Sequence, residues 1–187
     1  MSLVVEICTD SVESATVAEA AGAGRIELCS ALAEGGVTPS AGLIESVRRN
    51  TGIKIHVLIR PRSGDFLYSD SEFSVMRHDI DIAGECGADG IVTGILNSDG
   101  TIDVERTALL AEYAAPMSLT FHRAFDLCRD PSKGLEDIIA TGASRILTAG
   151  QARNAIEGAP LIKSLIAGAA GRVIIMPGGG IDEYNIA

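Results

Sequence analysis

At 187 residues, 47% hydrophobic and 21% charged, the chain has the size and composition of one globular domain and is neither disordered nor fibrous. Its formal net charge of −10 repels nucleic acid and anionic membrane surfaces, so neither is expected as a partner. No apolar run approaches the roughly 18 residues of a membrane span.

Apolar strand-like runs alternate with amphipathic helical runs along the chain. The first strand is predicted over 3–9 and the first helix over 12–21. The second strand covers 25–29, and its helix begins at Pro39, with Thr38 as N-cap, and runs to Asn50. The third strand covers 54–60 and is closed by Pro61. A long loop then leads to a helix over 70–86. Strand four (90–93) precedes a helix over 104–114, strand five (118–122) a helix over 131–140, and strand six (145–148) a helix over 156–169. Strand seven (173–176) runs into Pro177-Gly178-Gly179-Gly180. Gly22-Ala23, Gly87-Ala88 and Gly142-Ala143 each fall between a helix and a strand, where glycine can adopt the left-handed conformation that ends a helix. Seven such units predict an α/β fold, a TIM-like (β/α)8 barrel forming a single domain over 1–187. The eighth strand is expected to be missing from this sequence.

The N-terminus enters its first strand too early for a secretory leader. The four cysteines, Cys8, Cys29, Cys86 and Cys128, are scattered without a CxxC pair, as free thiols of a reducing compartment are. A cytoplasmic setting is expected. No Walker loop, Rossmann fingerprint, HExxH or nucleophile elbow is present, so no nucleotide cofactor is expected.

Six motifs in order carry a family resemblance: Glu6-Ile7-Cys8, Arg25-Ile26-Glu27-Leu28-Cys29-Ser30, Glu34-Gly35-Gly36 with Thr38-Pro39-Ser40, Ile59-Arg60-Pro61-Arg62 with Gly64-Asp65-Phe66 and Tyr68, Thr120-Phe121-His122-Arg123-Ala124-Phe125-Asp126, and Met176-Pro177-Gly178-Gly179-Gly180. From residue 3 to the last residue the chain resembles the CutC family, named for copper homeostasis. The resemblance implies a TIM-like barrel, a cytoplasmic location and a Cu(I)-binding role.

The period of two along a strand puts Glu6 and Cys8 on one face of strand one, and Arg25, Glu27 and Cys29 on one face of strand two. Cys8 and Cys29 are therefore expected inside the barrel near its mouth, at matching heights on strands about 4.8 Å apart. Two soft thiolates at that spacing suit Cu(I). The same positions also suit small buried residues filling a narrowing barrel. Cys86 and Cys128 have no evident partner and are read as structural.

The charged residues admit two readings. Glu6, Arg25, Glu27, Arg60 and His122 would share the interior, either as a structural ion-pair network or as an active site. In the second case Glu27 or His122 supplies acid–base chemistry, and Arg25, Arg60 and Arg123 hold a small anionic substrate. Glu27, Arg60 and His122 are then expected to converge at the C-terminal strand ends. Gly178, Gly179 and Gly180 follow strand seven, where barrels often bind phosphate. His56 is expected in the core and His78 on the surface. The loop from Arg60 to Tyr68 is accounted for equally by a lid or by a homo-oligomer contact.

Overall fold

The computed structural model describes residues 3–186. Its contacts divide the chain into two compact units, the first comprising Met1–Asp65, Ser69–Thr93 and Tyr113–Ser118, the second Phe66–Tyr68, Gly94–Glu112 and Leu119–Ala187.

The first unit holds four parallel strands, β1 (Glu6–Thr9), β2 (Arg25–Leu28), β3 (Lys54–Leu58) and β4 (Gly90–Thr93), paired in chain order. Helices α1 (Val12–Ala20), α2 (Ala41–Asn50) and α3 (Asp70–Glu85) connect them. Parallel neighbours need such crossovers, and the helices bury one face of β2, β3 and β4, whereas Ile7 of β1 stays exposed. Ile26, Leu28, Ile55, Val57 and Ile91 supply that buried face, together with Ile44 and Val47 of α2 and Met76 and Ile80 of α3. Each such aliphatic side chain contributes about 1.5–3 kcal/mol on burial.

The opposite strand face is laid out in rows by the register. Cys8 pairs with Glu27, Glu27 with His56, and His56 with Gly90. His56 is buried, as expected, and Gly90 makes room for it: a Cβ there would stand 2.7 Å from the imidazole. One row further on, Cys29, Leu58 and Val92 form a buried cluster.

The second unit carries β5 (Ser118–Phe121), which begins at the boundary, then β6 (Arg145–Thr148) and β7 (Ile174–Pro177), paired in parallel and in chain order. Its helices are α5 (Pro131–Ala140), α6 (Ala159–Ala169) and most of α4 (Val104–Ala114).

The repeated glycines end their helices as the sequence predicts. Gly22, Gly87 and Gly142 have φ of +86°, +88° and +81°. The Ala23 and Ala88 N–H groups reach back to the carbonyls of Ala18 and Ala83, which satisfies two otherwise orphaned acceptors.

Two helix starts differ from expectation. Thr38 does not cap α2, because its hydroxyl accepts from Arg60 N (2.9 Å) and its own N–H donates to Arg60 O (3.0 Å). Ser40 takes the cap instead, accepting from Leu43 N at 3.2 Å. The helix expected from Ile156 starts at Ala159, since Gly158 is packed so closely on Ala149 that the preceding residues stay irregular. The first strand starts at Glu6 rather than Leu3, because its ladder partner β2 begins at Arg25.

Candidate functional site

In the first unit the polar residues of β1 and β2 form two rows. Glu6 and Arg25 open their strands opposite each other and make an ion pair, both side chains largely buried. That pair lies at the N-terminal ends of the strands, so Arg25 is engaged with Glu6 and sits away from the strand ends where a mouth was expected. One row on, the Cys8 thiol donates to Glu27 Oε2 at 3.7 Å. Glu27 is only 7% exposed. Burial, followed by the negative charge of Glu6, raises its carboxyl from the ordinary 4.5 to about 7, against the opposing pull of the Cys8 hydrogen bond and Arg25.

Both thiols are held protonated. Cys8 keeps part of its surface in solvent, yet burial of the thiol and then the charges of Glu27, Cys29 and Glu6 lift it far above the usual cysteine range. Cys29 is 1% exposed and is pushed up to about 12 by burial, then by Glu27 and Asp10. The two cysteines share a face of adjacent strands, but they are staggered. Cys8 stands opposite Glu27, so Cys29 lies two residues further along. A two-residue rise and one strand spacing put their Cα atoms roughly 8 Å apart. The expectation of matching heights fails by one row, because β1 and β2 pair with Glu6 against Arg25. The Cys29 thiol points instead at Thr9 O (3.7 Å).

Cys29 is buried by a feature that the strand pattern does not reveal. Gly36, at φ +85°, is folded over it; a Cβ there would come within 2.7 Å of Leu58 Cδ2 and 3.4 Å of Cys29 Cβ. Arg60 fixes this cover. Its Nη1 donates to Gly36 O (2.7 Å) and Glu34 O (3.2 Å), and its Nη2 to Gly64 O (2.9 Å). Arg60 is thus a buried clamp on loop carbonyls. The spacing of Glu34-Gly35-Gly36 and Arg60 in the sequence was the available signal, but nothing in it said that the two segments meet. Arg62, the second arginine of that loop, pairs with Glu72 (2.5 Å) and Asp65 (2.9 Å).

In the second unit the candidate site residues His122, Arg123, Asp126 and Gly178–Gly180 stand beyond the strand ends. His122 follows β5 and its Nδ1 accepts from Ala124 N (3.2 Å), while its ring lies 4.8 Å from that of Phe66. Asp126 accepts from the Thr148 hydroxyl, from Ala149 N (3.0 Å) and from Gln151 N (3.1 Å), and pairs with Arg123 Nε (2.8 Å). It ties the loop after β5 to the loop after β6. Gly178 N donates to Thr148 O (2.9 Å), and Gly179 lies under the Arg123 guanidinium: a Cβ there would be 3.0 Å from Cζ. The Cys128 thiol is buried, raised to about 11 by that burial, and accepts from Gln151 Nε2 at 3.5 Å.

Among the described residues, no group of three or more His, Cys, Asp or Glu is placed to hold a metal ion. No helix among them is long and apolar enough to cross a membrane.

The model of the CutC family matches residues 3–187. A family protein CutC of Chromobacterium violaceum is 50% identical over 187 residues, which is 100% of this chain and 76% of that protein. A copper homeostasis protein cutC homolog of Homo sapiens is 52% identical over 182 residues, 97% of this chain and 67% of its own length. The crystal structure of CutC from Streptococcus agalactiae superposes with a TM-score of 0.92 at 37% identity, covering 98% of this chain and 91% of that one. An aldolase structure that is 15% identical, with a TM-score of 0.70 over 95% of this chain and 80% of its own, shares the fold. The fold is accordingly α/β of the TIM-barrel type.

Proposed function

This chain belongs to the CutC family, and from that premise we propose that it serves copper homeostasis by holding Cu(I) between the thiolates of Cys8 and Cys29. The observation that carries the reading is their placement on one face of two directly paired strands. Cu(I) is soft and accepts two thiolate ligands, whereas Glu6 and Glu27 are hard donors. A reducing cytoplasm, where thiols stay unpaired, suits both the protein and the ion.

Cu(I) must displace the proton from each thiol. With Cys29 raised to about 12 and Cys8 raised as well, both are protonated at neutral pH. Apparent affinity therefore falls with pH, by up to about a hundredfold per unit when two protons leave. Competitive titration of the reduced protein with a Cu(I) chelator tests the assignment. Cys8→Ser and Cys29→Ser should each remove high-affinity binding, and Cys86→Ser and Cys128→Ser should not. Unchanged affinity in the double variant at Cys8 and Cys29 would end this reading.

A second reading has one observation behind it: the Glu27 carboxyl, raised to about 7, is poised for acid–base exchange at neutral pH. Arg25 and Arg60 do not supply its anion-binding partners, because one is paired with Glu6 and the other is bound to loop carbonyls. Turnover of a small acidic substrate that Glu27→Gln abolishes and the cysteine variants retain would favour this second reading.

A further inference from the structure

We propose that the second unit carries an oxyanion site for a phosphate-like group, formed by Arg123 and the Gly178–Gly180 turn; it rests neither on the copper assignment nor on acid–base chemistry at Glu27.

Three loops meet at the C-terminal ends of β5, β6 and β7. Arg123 comes from the first, Ala149 from the second and the glycine turn from the third. The contact between Arg123 and Gly179 is direct, since a Cβ at Gly179 would lie 3.0 Å from Arg123 Cζ and Nη1 and 3.4 Å from Ala149 Cβ. A side chain at Gly179 would push the guanidinium off this turn by a few tenths of an ångström. Gly180 is pressed as closely from the other side, where a Cβ would meet Asn154 Cβ at 2.8 Å. Both glycines have positive φ, +99° and +67°, so the turn is fixed in a conformation that other residues adopt only under strain.

The donors are unevenly used. Arg123 Nε is taken by Asp126, which sets the plane of the guanidinium. Gly178 N is taken by Thr148 O, and Gly179 O accepts from Ala155 N. Among the described residues, Arg123 Nη1 and Nη2 and the N–H groups of Gly179 and Gly180 donate to no protein acceptor. Four donor atoms without a protein acceptor thus belong to a guanidinium and to the turn beside it. Arg123 retains 45% of its side-chain exposure, so a ligand can reach it. A planar fork beside successive backbone N–H groups matches the oxygens of a phosphoryl group. Asp126 does not compete for the ligand's place, because its oxygens already accept from Thr148, Ala149, Gln151 and Arg123.

The test is a titration of the 15N-labelled protein with inorganic phosphate, set beside sodium chloride at matched ionic strength. Saturable shifts of the Gly179 and Gly180 amides with phosphate alone are expected. Arg123→Gln should weaken binding about tenfold or more. Should that variant unfold through loss of the Asp126 pair, Arg123→Lys keeps a cation there and should still weaken phosphate several-fold, because the fork is gone. Equal shifts with chloride, shifts that never saturate, or a folded Arg123 variant with unchanged affinity would each overturn the proposal.

Discussion

Two buried carboxylates, one in each unit, meet opposite circumstances. Asp126 stands past the end of β5 and collects the Ala149 and Gln151 N–H groups, the Thr148 hydroxyl and Arg123. Glu27 stands inside β2 and receives one thiol at 3.7 Å, with Glu6 adding negative charge close by. The cause is positional. Within a parallel strand the neighbouring N–H groups are committed to the ladder, so a strand carboxylate meets only side chains. Beyond the strand end the loop N–H groups are still seeking acceptors. The first unit therefore keeps an acid and two thiols that hold on to their protons, whereas the second has turned its acid into a structural tie.

The largest effect is expected at Asp126. Asp126→Ala leaves the Thr148 hydroxyl and the Ala149 and Gln151 N–H groups without their acceptor, which should cost about 3–5 kcal/mol in urea unfolding. A loss below 1 kcal/mol would mean that the carboxylate is not a tie at all.

Glu27→Gln should move stability the other way, and only above acid pH. The folded-state value of about 7 exceeds the ordinary 4.5, so below 4.5 both states hold the proton and no penalty exists. As pH rises through that interval the unfolded chain releases its proton first, and wild-type stability declines until about pH 7. The variant lacks this decline. Its advantage over wild type should grow between pH 4.5 and 7 to on the order of 3 kcal/mol. A difference that stays flat with pH would show that Glu27 is not the strained acid of this pair.

A smaller effect belongs to the cover over Cys29. Gly36→Ala demands a Cβ 2.7 Å from Leu58 Cδ2 at φ +85°, and should cost about 1–3 kcal/mol. It should also speed modification of Cys29 by a thiol reagent. Unchanged labelling with the fold intact would remove the loop as the reason for that thiol's burial.

Much of this was legible in the residues. Alternation along 6–9 and 25–29 put Glu6, Cys8, Glu27 and Cys29 on one face, and the helix-ending glycines marked the units. The row offset between the cysteines was not legible, because register depends on which residues open each ladder and no periodicity within one strand reports it. The uses of Arg60 and Arg25 were hidden for a related reason. An arginine's charge is visible in a sequence, but whether it faces a ligand, a carboxylate or three loop carbonyls depends on segments distant along the chain. Thr38 illustrates the same limit, since a good capping residue was drawn into a tertiary bond with β3's end and Ser40 took its place.

The most direct test of the copper assignment is X-ray absorption on protein loaded with one equivalent of Cu(I), in the wild type and in the Cys8→Ser, Cys29→Ser double variant. The account predicts two sulfur neighbours and no oxygen or nitrogen ligand in the wild type, with that signature lost in the double variant. A first shell of oxygen and nitrogen, or two sulfurs persisting without Cys8 and Cys29, would contradict it.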